Sequence, residues 1–569
     1  MEKSSPVSQL NPDQSLYTSL LQAAKKNPLA PALCYKGKDI SFENVLAQVD
    51  LLAAALIKAD IKPNDIVASA LPNIPKAVYF LYAVNKIGAI AYLNHALESA
   101  TQMAKNMDFT GAKILFTHEA NVVKYREFCQ AKGIRLISIC PADEMGVFVK
   151  WIYRTKEKLN KKVREGAEDY FSFLGGAVPH AKDFVEKNAI ETSVLLNSGG
   201  TTGIPKTVEI CSFAINQLAI VGPSIIGTSE VAYKYMLHPL PLFHCFGLMK
   251  GLHTMVMNGG CCVLIPRFTR KEFMRYIQNN KSHFLLGVPA VYDALLTMKK
   301  FKGKKLQTIQ TAFMGGDVCK KETILAFDRK MEEVSNIARL NEGYGLTETL
   351  SVCCVNTNSI RKVGSVGKPI KGVLIRAFST DRAKVFLDNW ERPQHIPQDA
   401  EVGELCISGL ILMRGYHKDE DASNTTFLEA LGRKWLKSGD FGYIDKDGFV
   451  HFIQRLKHII IVYGENVFPT EVEARANEVN GVIKSAAFAV EDKKATSRVY
   501  LAVEVKAGIG ENEKKVLHDT LIEHLRLGLQ KYAVPIGIDF YEELPRTKMM
   551  KIDIEALRIN AEKTTRSMQ

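Results

Sequence analysis

Short apolar runs that alternate with amphipathic helical segments govern what this chain can fold into. The stretch SFENVLAQVDLLAAALIKA, residues 41–59, repeats its apolar residues at helical spacing, with Ser41 placed to cap the first turn and Glu43 just inside it. DIVASAL, KILFTH, RLISI and CCVLIP read as short buried strands. Alternation of this kind predicts an α/β fold with largely parallel sheets. At 569 residues the chain exceeds the roughly 250–300 at which one core stops growing, so more than one domain is expected. Past residue 400 the pattern turns to hairpins, GELCISG and WLKSGDFGYIDKDGFVHFIQR, with Asp447-Gly448 as the turn. The last hundred residues read as helix–strand–strand–helix, a small α+β domain whose boundary falls near Arg455–Lys457.

Composition narrows the function classes. Hydrophobic residues at 46% and charged residues at 24% are ordinary for a globular protein. No run reaches the roughly 20 apolar residues of a membrane span. The best candidate, AVYFLYAVNKIGAIAYL, is interrupted by Asn85 and Lys86, and the first residues carry no apolar signal core. Eleven cysteines without CxxC spacing suit small buried hydrophobes in a reducing compartment, so a cytoplasmic protein is expected. The net charge of +13 raises nucleic acid as a partner. The basic residues are spread along the chain without an aromatic–basic motif, which favours anionic small molecules and disfavours nucleic acid. An acidic carrier protein or a membrane surface would use the same charge. Residues 148–165, FVKWIYRTKEKLNKKVRE, form a basic amphipathic stretch that fits either an anionic membrane or a surface helix docked on its own domain.

The segment LLNSGGTTGIPKTVEI, residues 195–210, has the inventory of a polyphosphate loop. Gly199, Gly200 and Gly203 let backbone N–H groups approach a ligand. Ser198, Thr201 and Thr202 add hydroxyls, and Lys206 adds a mobile positive charge. It is not the Walker loop, because Ile204 and Pro205 separate Gly203 from Lys206.

Four further segments follow it: NEGYGLTET at Asn341, KSGDFGYI at Lys437, QRLKHIIIVYGENVFPTEVE at Gln454 and LPRTKMMKID at Leu544. In order and spacing the five resemble the signature segments of the adenylate-forming (AMP-binding) superfamily, most of all its fatty-acyl-CoA synthetases, over nearly the whole chain. The resemblance implies a large N-terminal domain, residues 1–454, of two mixed α/β subdomains plus a small β-barrel-like subdomain. A small mobile α+β domain, 455–569, would pivot near Lys457. It also implies a reaction: an acid and ATP give an acyl-adenylate and pyrophosphate, and the thiol of coenzyme A then displaces AMP. Both partners of the first step are anionic, so preorganised positive groups must quench their repulsion.

By the same resemblance, Ser198 to Gly203 and Lys206 wrap the β- and γ-phosphates. Thr347 contacts the α-phosphate, and Glu348 helps to hold Mg²⁺. Tyr344 stacks on adenine beside Gly315 and Gly316, Asp440 accepts from the ribose hydroxyls, and Arg455 lies near ribose and phosphate. Lys551 bridges the substrate carboxylate and the α-phosphate, although Met550 stands where the family has glycine and Lys548 is close by. Gly464 lines the coenzyme A tunnel. In PLPLFHCFGLMKG, residues 239–251, His244 gates the acyl pocket, whose implied walls are Phe246, Met249, Ala312, Phe313 and Met314. The aspartate that pairs with an amino-acid amine is missing there, which disfavours amino acids. Thr207 replaces the glycine that follows the loop lysine, implying altered loop mobility. A carrier-protein ligase, an aryl-CoA ligase and, from another class, an inactive nucleotide-binding protein stay open as alternatives.

Overall fold

The structure is a computed structural model that describes residues 11–140, 165–198, 206–317, 319–387, 396–463, 465–492, 496–547 and 552–567. The chain divides into two compact units, one of residues 1–374 with 408–436, the other of 375–407 with 437–569.

Two sheets organise the first unit. In one, the strands Ile90–Leu93, Ile66–Ala70, Ile114–His118 and Arg135–Ile139 run parallel, and Thr192–Asn197 joins Ile90–Leu93 in the same sense. Thr207–Cys211 then turns back antiparallel, and Gly415–Tyr416 pairs antiparallel with it in turn. In the other sheet, Leu340–Tyr344, Thr311–Met314, Phe284–Gly287, Tyr235–His238, Cys261–Leu264 and Pro31–Tyr35 lie parallel in that order. Parallel strands need helical crossovers, which is what the alternating sequence supplies.

The helix Phe42–Lys58 begins where its capping residue predicts, with Asn44 N donating to Ser41 Oγ at 3.4 Å. Period-two alternation divides the second sheet's strands between two faces. Leu237, Leu285, Ala312, Met314 and Leu340 pack into a core with Phe273, Tyr292 and Phe327 of the covering helices. Ala312 and Met314, expected as acyl-pocket walls, therefore belong to that helix-covered core, whereas Phe313 occupies the opposite face. All of Cys261, Cys262, Cys353 and Cys354 are buried free thiols.

The second unit holds the antiparallel hairpin between Arg433–Ile444 and Val450–Arg455 in its part from Lys437 onward, turned at Asp447-Gly448 with Gly448 at φ +81°. Its C-terminal sheet, built on Lys484–Asp492 and Thr496–Glu504, is covered on one face by Pro469–Ala476 and Glu511–Gly528. Leu557 and Ala561 of the last helix pack against Phe488 and Tyr500 on the other. The expected helix–strand–strand–helix is thus present, extended by three strands and a terminal helix.

The interrupted apolar run proves to be two elements, the helix Pro75–Lys86 and the strand Ile90–Leu93. Its polar residues are buried and paired. Asn85 Oδ1 accepts from Tyr17 N at 3.0 Å, and Lys86 Nζ lies 2.8 Å from Asp50 Oδ1, to which the Tyr17 hydroxyl also donates. No helix among the described residues is long and apolar enough to cross a membrane. Residues 148–164 of the basic stretch lie outside the described residues. Removing Asp50 would strand a buried ammonium, so Asp50→Ala should cost about 3–5 kcal/mol of stability. Thermal and denaturant unfolding check this, and the double variant with Lys86→Met should recover part of the loss.

Candidate functional site

The Gly/Thr-rich loop is the turn of a hairpin. Thr192–Asn197 and Thr207–Cys211 run antiparallel with Asn197 opposite Thr207, and Ser198 N donates to Lys206 O at 2.8 Å. Ser198 and Lys206 thus meet at the mouth of the loop. Gly199, Gly200, Thr201, Thr202 and Gly203 lie outside the described residues. Thr207, where altered mobility was implied, is buried and ties the root of the loop. Its hydroxyl donates to Asn197 Oδ1 at 3.1 Å, and the Tyr92 hydroxyl donates to the same oxygen at 3.0 Å.

Beside this hairpin runs the short strand Gly415–Tyr416. Arg414 N donates to Glu209 O, and His417 N donates to Thr207 O, so the strand is fastened at both ends. The Glu209 carboxylate accepts from His417 Nδ1 at 2.7 Å and from Thr192 Oγ1 at 3.0 Å. The His417 bond is the main reason its pKa falls below the usual range, against the opposing effect of burial.

Tyr416 then joins two groups that lie far apart in the chain. The Lys206 ammonium sits over its ring, 4.6 Å from the centroid, and its hydroxyl donates to Glu348 Oε1 at 3.0 Å. Burial, reinforced by the Glu348 charge, raises the phenol's pKa, so the hydroxyl stays a donor. Met413 N donates to Glu348 O at 2.8 Å. A cation, a donor and a half-buried carboxylate are held in one cluster.

Glu348 sits in the turn Thr347–Thr349 that follows the strand Leu340–Tyr344. The neighbouring parallel strand Thr311–Met314 pairs Met314 with Glu342 and leads into Gly315-Gly316. Both glycines and Tyr344 therefore emerge at the carboxyl ends of adjacent parallel strands, where open α/β sheets bind ligands. The backbone there is crowded. A Cβ on Gly345 would fall 1.6 Å from Ser351 O, and one on Gly315 would fall 3.0 Å from Gly343 O. To close the turn, Leu350 and Ser351 take φ of 57° and 120°, a strain of order 1–3 kcal/mol each.

The segment around His244 meets this turn. Cys245 Sγ lies 3.8 Å from Leu346 O and 4.0 Å from Thr347 Oγ1. A Cβ on Gly315 would touch the Phe246 ring at 3.5 Å. His244 Nδ1 accepts from Phe246 N at 3.3 Å, which orients the imidazole at the start of the π-helix Phe246–His253. Thr347, Glu348, His244, Lys206 and the Gly315-Gly316 edge thus belong to one unit.

Asp440 and Arg455 belong to the second unit. They face each other across the hairpin, with Arg455 Nε 2.8 Å from Asp440 Oδ1, and the carboxylate is wholly buried. Asp440 N donates to Ser438 Oγ, and Gly439 N to Glu404 Oε1. Lys457 is exposed in the single turn Leu456–His458 that follows. Lys551, Met550, Lys548 and Gly464 lie outside the described residues.

A divalent metal fits the Glu348 cluster. Glu348 is a hard oxygen donor, and among the described residues no group of three or more His, Cys, Asp or Glu is placed to hold a metal alone. Mg²⁺ is held in just this way by one or two carboxylates that share it with substrate phosphates.

Sequence reasoning missed Tyr416, whose role depends on a strand added from more than two hundred residues away. It also missed Glu342, half-buried on the strand that leads to Tyr344, where burial pushes its carboxyl up to about 7 although Cys319 N–H opposes the shift.

Comparison with known proteins covers nearly all of the chain. The family described as AMP-binding enzyme matches residues 20–417, and the AMP-binding enzyme C-terminal domain matches residues 471–551. A long-chain-fatty-acid–CoA ligase of Bacillus subtilis (strain 168) is 27% identical over 95% of this chain and 93% of its own length. A 2-succinylbenzoate–CoA ligase of the same organism is 25% identical over 94% of this chain and 96% of its own. The crystal structure of ATP-bound MatB from Rhodopseudomonas palustris superposes with a TM-score of 0.79 at 20% identity, covering 96% of this chain and 99% of that one, a likeness of fold.

Glu342 generates a pH prediction. The folded state holds its proton up to about 7, while the unfolded chain releases it near the ordinary glutamate value, so this group's contribution to stability falls as pH rises from about 4.5 to 7. Glu342→Gln is fixed in the neutral form. Its melting temperature relative to the parent should therefore rise between pH 5 and pH 8, and a pH-independent difference would contradict the assignment.

Proposed function

We propose, since this chain belongs to the AMP-binding enzyme family, that it is an ATP-dependent acid–coenzyme A ligase. The carboxylic acid and ATP would form an acyl-adenylate with release of pyrophosphate, and the coenzyme A thiol would then displace AMP. Alignment with a long-chain-fatty-acid–CoA ligase over nearly its full length supports a fatty acid as the substrate, and the 2-succinylbenzoate–CoA ligase supports an aryl acid as the second reading. The observation that carries the proposal is the Lys206–Tyr416–Glu348 cluster beside Thr347.

In this reading the loop cradles the triphosphate, with Lys206 supplying charge at its root. Tyr416 orients the Glu348 carboxylate, which would hold the metal, and the metal when bound would neutralise phosphate charge. Thr347 donates to the α-phosphate. Tyr344 and the Gly315-Gly316 edge bracket the adenine, and Asp440 with Arg455 serves the ribose. His244 stands between nucleotide and acid. Lys551 would come to the carboxylate and α-phosphate from a C-terminal domain, residues 455–569, that pivots near Lys457. Held in place beforehand, these groups need no reorganisation when the two anions meet. An acidic carrier protein remains the alternative thiol donor, and a membrane contact through residues 148–165 its companion proposal, both supported by the net positive charge.

Acid-dependent exchange of pyrophosphate into ATP tests the adenylation step directly, and absence of exchange with every acid of a graded alkyl and aryl panel would retire the proposal. Glu348→Gln should lower the exchange rate roughly 10²–10³-fold. Lys551→Ala should abolish exchange, whereas Lys457→Ala should spare it and impair thioester formation. Equal losses in both assays would contradict the pivot.

A further inference from the structure

The π-helix Phe246–His253 carries a lysine that the reaction does not use. Lys250 is 1% exposed, and its Nζ has no hydrogen-bond partner among the described residues. Its nearest recorded neighbour is the Phe313 ring, 4.9 Å away. An ammonium buried without an acceptor is costly, and burial accordingly pushes the Lys250 pKa down to about 7.

The helix packs closely on its neighbours at its glycines. A Cβ on Gly251 would fall 1.7 Å from the His238 ring, and one on Gly247 would fall 2.3 Å from Pro241 O. His238 Nε2 is also bonded to Gly247 O. The helix backbone thus lies tight against His238 and Pro241, with the Gly247 carbonyl bonded to the imidazole, which fixes where Lys250 sits. A second orphan lies on the same row of strands. Asn341 is the in-register neighbour of Phe313, and its Nδ2 donates to Thr311 Oγ1, Arg339 O and Asn358 Oδ1, while its buried Oδ1 receives nothing.

Direction along the helix matters. At its start, Cys245 and Phe246 reach Thr347 and Gly315, the end where the acid's carboxylate would meet the α-phosphate. Lys250 follows Phe246 by four residues, about one turn further along the π-helix, with its Nζ over the Phe313 ring. A substrate whose carboxylate lies at the first position would extend its tail toward the second.

We propose that Lys250 is a specificity residue: the acid this site activates carries a second oxygen acceptor on its tail, a carboxylate foremost, that pairs with the Lys250 ammonium. The inference rests on the ligase reading and narrows it from apolar acids to acids with a polar tail. It gives the buried amine the partner that none of the described residues supplies. The strength of such a pair comes from the absence of competing water.

The test sets α,ω-dicarboxylates against monocarboxylates of equal carbon count, with ω-hydroxy and ω-keto acids as neutral acceptors, in pyrophosphate exchange by the parent enzyme and Lys250→Met. The parent should prefer one length of dicarboxylate, and Lys250→Met should reduce that preference by roughly ten- to a hundredfold, mainly through KM, since the contact is made in ground and transition states alike. Neutral acceptors favoured over dicarboxylates, with the preference still lost in Lys250→Met, would support pairing through an oxygen acceptor without charge. Because the variant removes an unpartnered buried amine and keeps its apolar stem, its melting temperature should equal or exceed that of the parent. Calorimetric titration of the folded proteins with the preferred dicarboxylate, without ATP, reads binding apart from turnover. Exchange with monocarboxylates at a ratio unchanged by Lys250→Met overturns this inference and leaves the ligase reading standing. Absence of exchange with every acid overturns both.

Discussion

The hydroxyl of Tyr416 holds the candidate site together. Its bond to Glu348 and the Lys206 ammonium over its ring join a loop-bearing hairpin, an edge strand and a glycine-crowded turn drawn from three distant stretches of chain. None of these pieces is rigid by itself, because a Gly/Thr turn and a two-residue strand bury little apolar surface. The rigidity comes from the edge strand's backbone bonds to the hairpin and from the Glu209 carboxylate that His417 and Thr192 secure underneath. If Glu348 is to hold a cation, as proposed, its carboxylate must be oriented without being neutralised. A single neutral donor from a tyrosine does that, where an ion pair would have consumed its charge.

Parallel strands determine where this cluster can be. Successive strands present their carboxyl ends on one side of the sheet, so Gly315-Gly316, Tyr344 and the Thr347–Thr349 turn arrive as neighbours although thirty residues separate them. Crowding sharpens the arrangement. Gly345 is required by the carbonyl of Ser351, and two residues accept left-handed backbone angles to complete the loop. Strain of this kind survives where the surrounding structure over-determines it.

Much of this was legible in the sequence for identifiable reasons. The strands at 66–70, 114–118 and 135–139 are short, β-branched and apolar, and the helix after Ser41 carries its own cap, so local signals and tertiary environment agree. Tyr344, Thr347 and Glu348 could be singled out because motif and strand end coincide. What stayed hidden depends on long-range pairing. Tyr416 is an ordinary tyrosine until Gly415–Tyr416 docks on Thr207–Cys211. Lys250 reads as a polar interruption of an apolar helix until burial is known, and Ala312 and Met314 pass for pocket walls until strand alternation assigns them to the other face. The bond from Thr207 to Asn197 at the root of the loop likewise has no local sequence signal.

The path of the chain has a consequence for its synthesis. Residues 408–436 return to the first unit after residues 375–407 have been spent on the second, and they bring the strand that covers the hairpin's open edge. On the ribosome, Thr207–Cys211 must therefore wait some two hundred residues with a row of unpaired amides and carbonyls facing outward. Such an edge invites a foreign strand, so a nascent chain stalled or truncated before Gly415 would be prone to self-association.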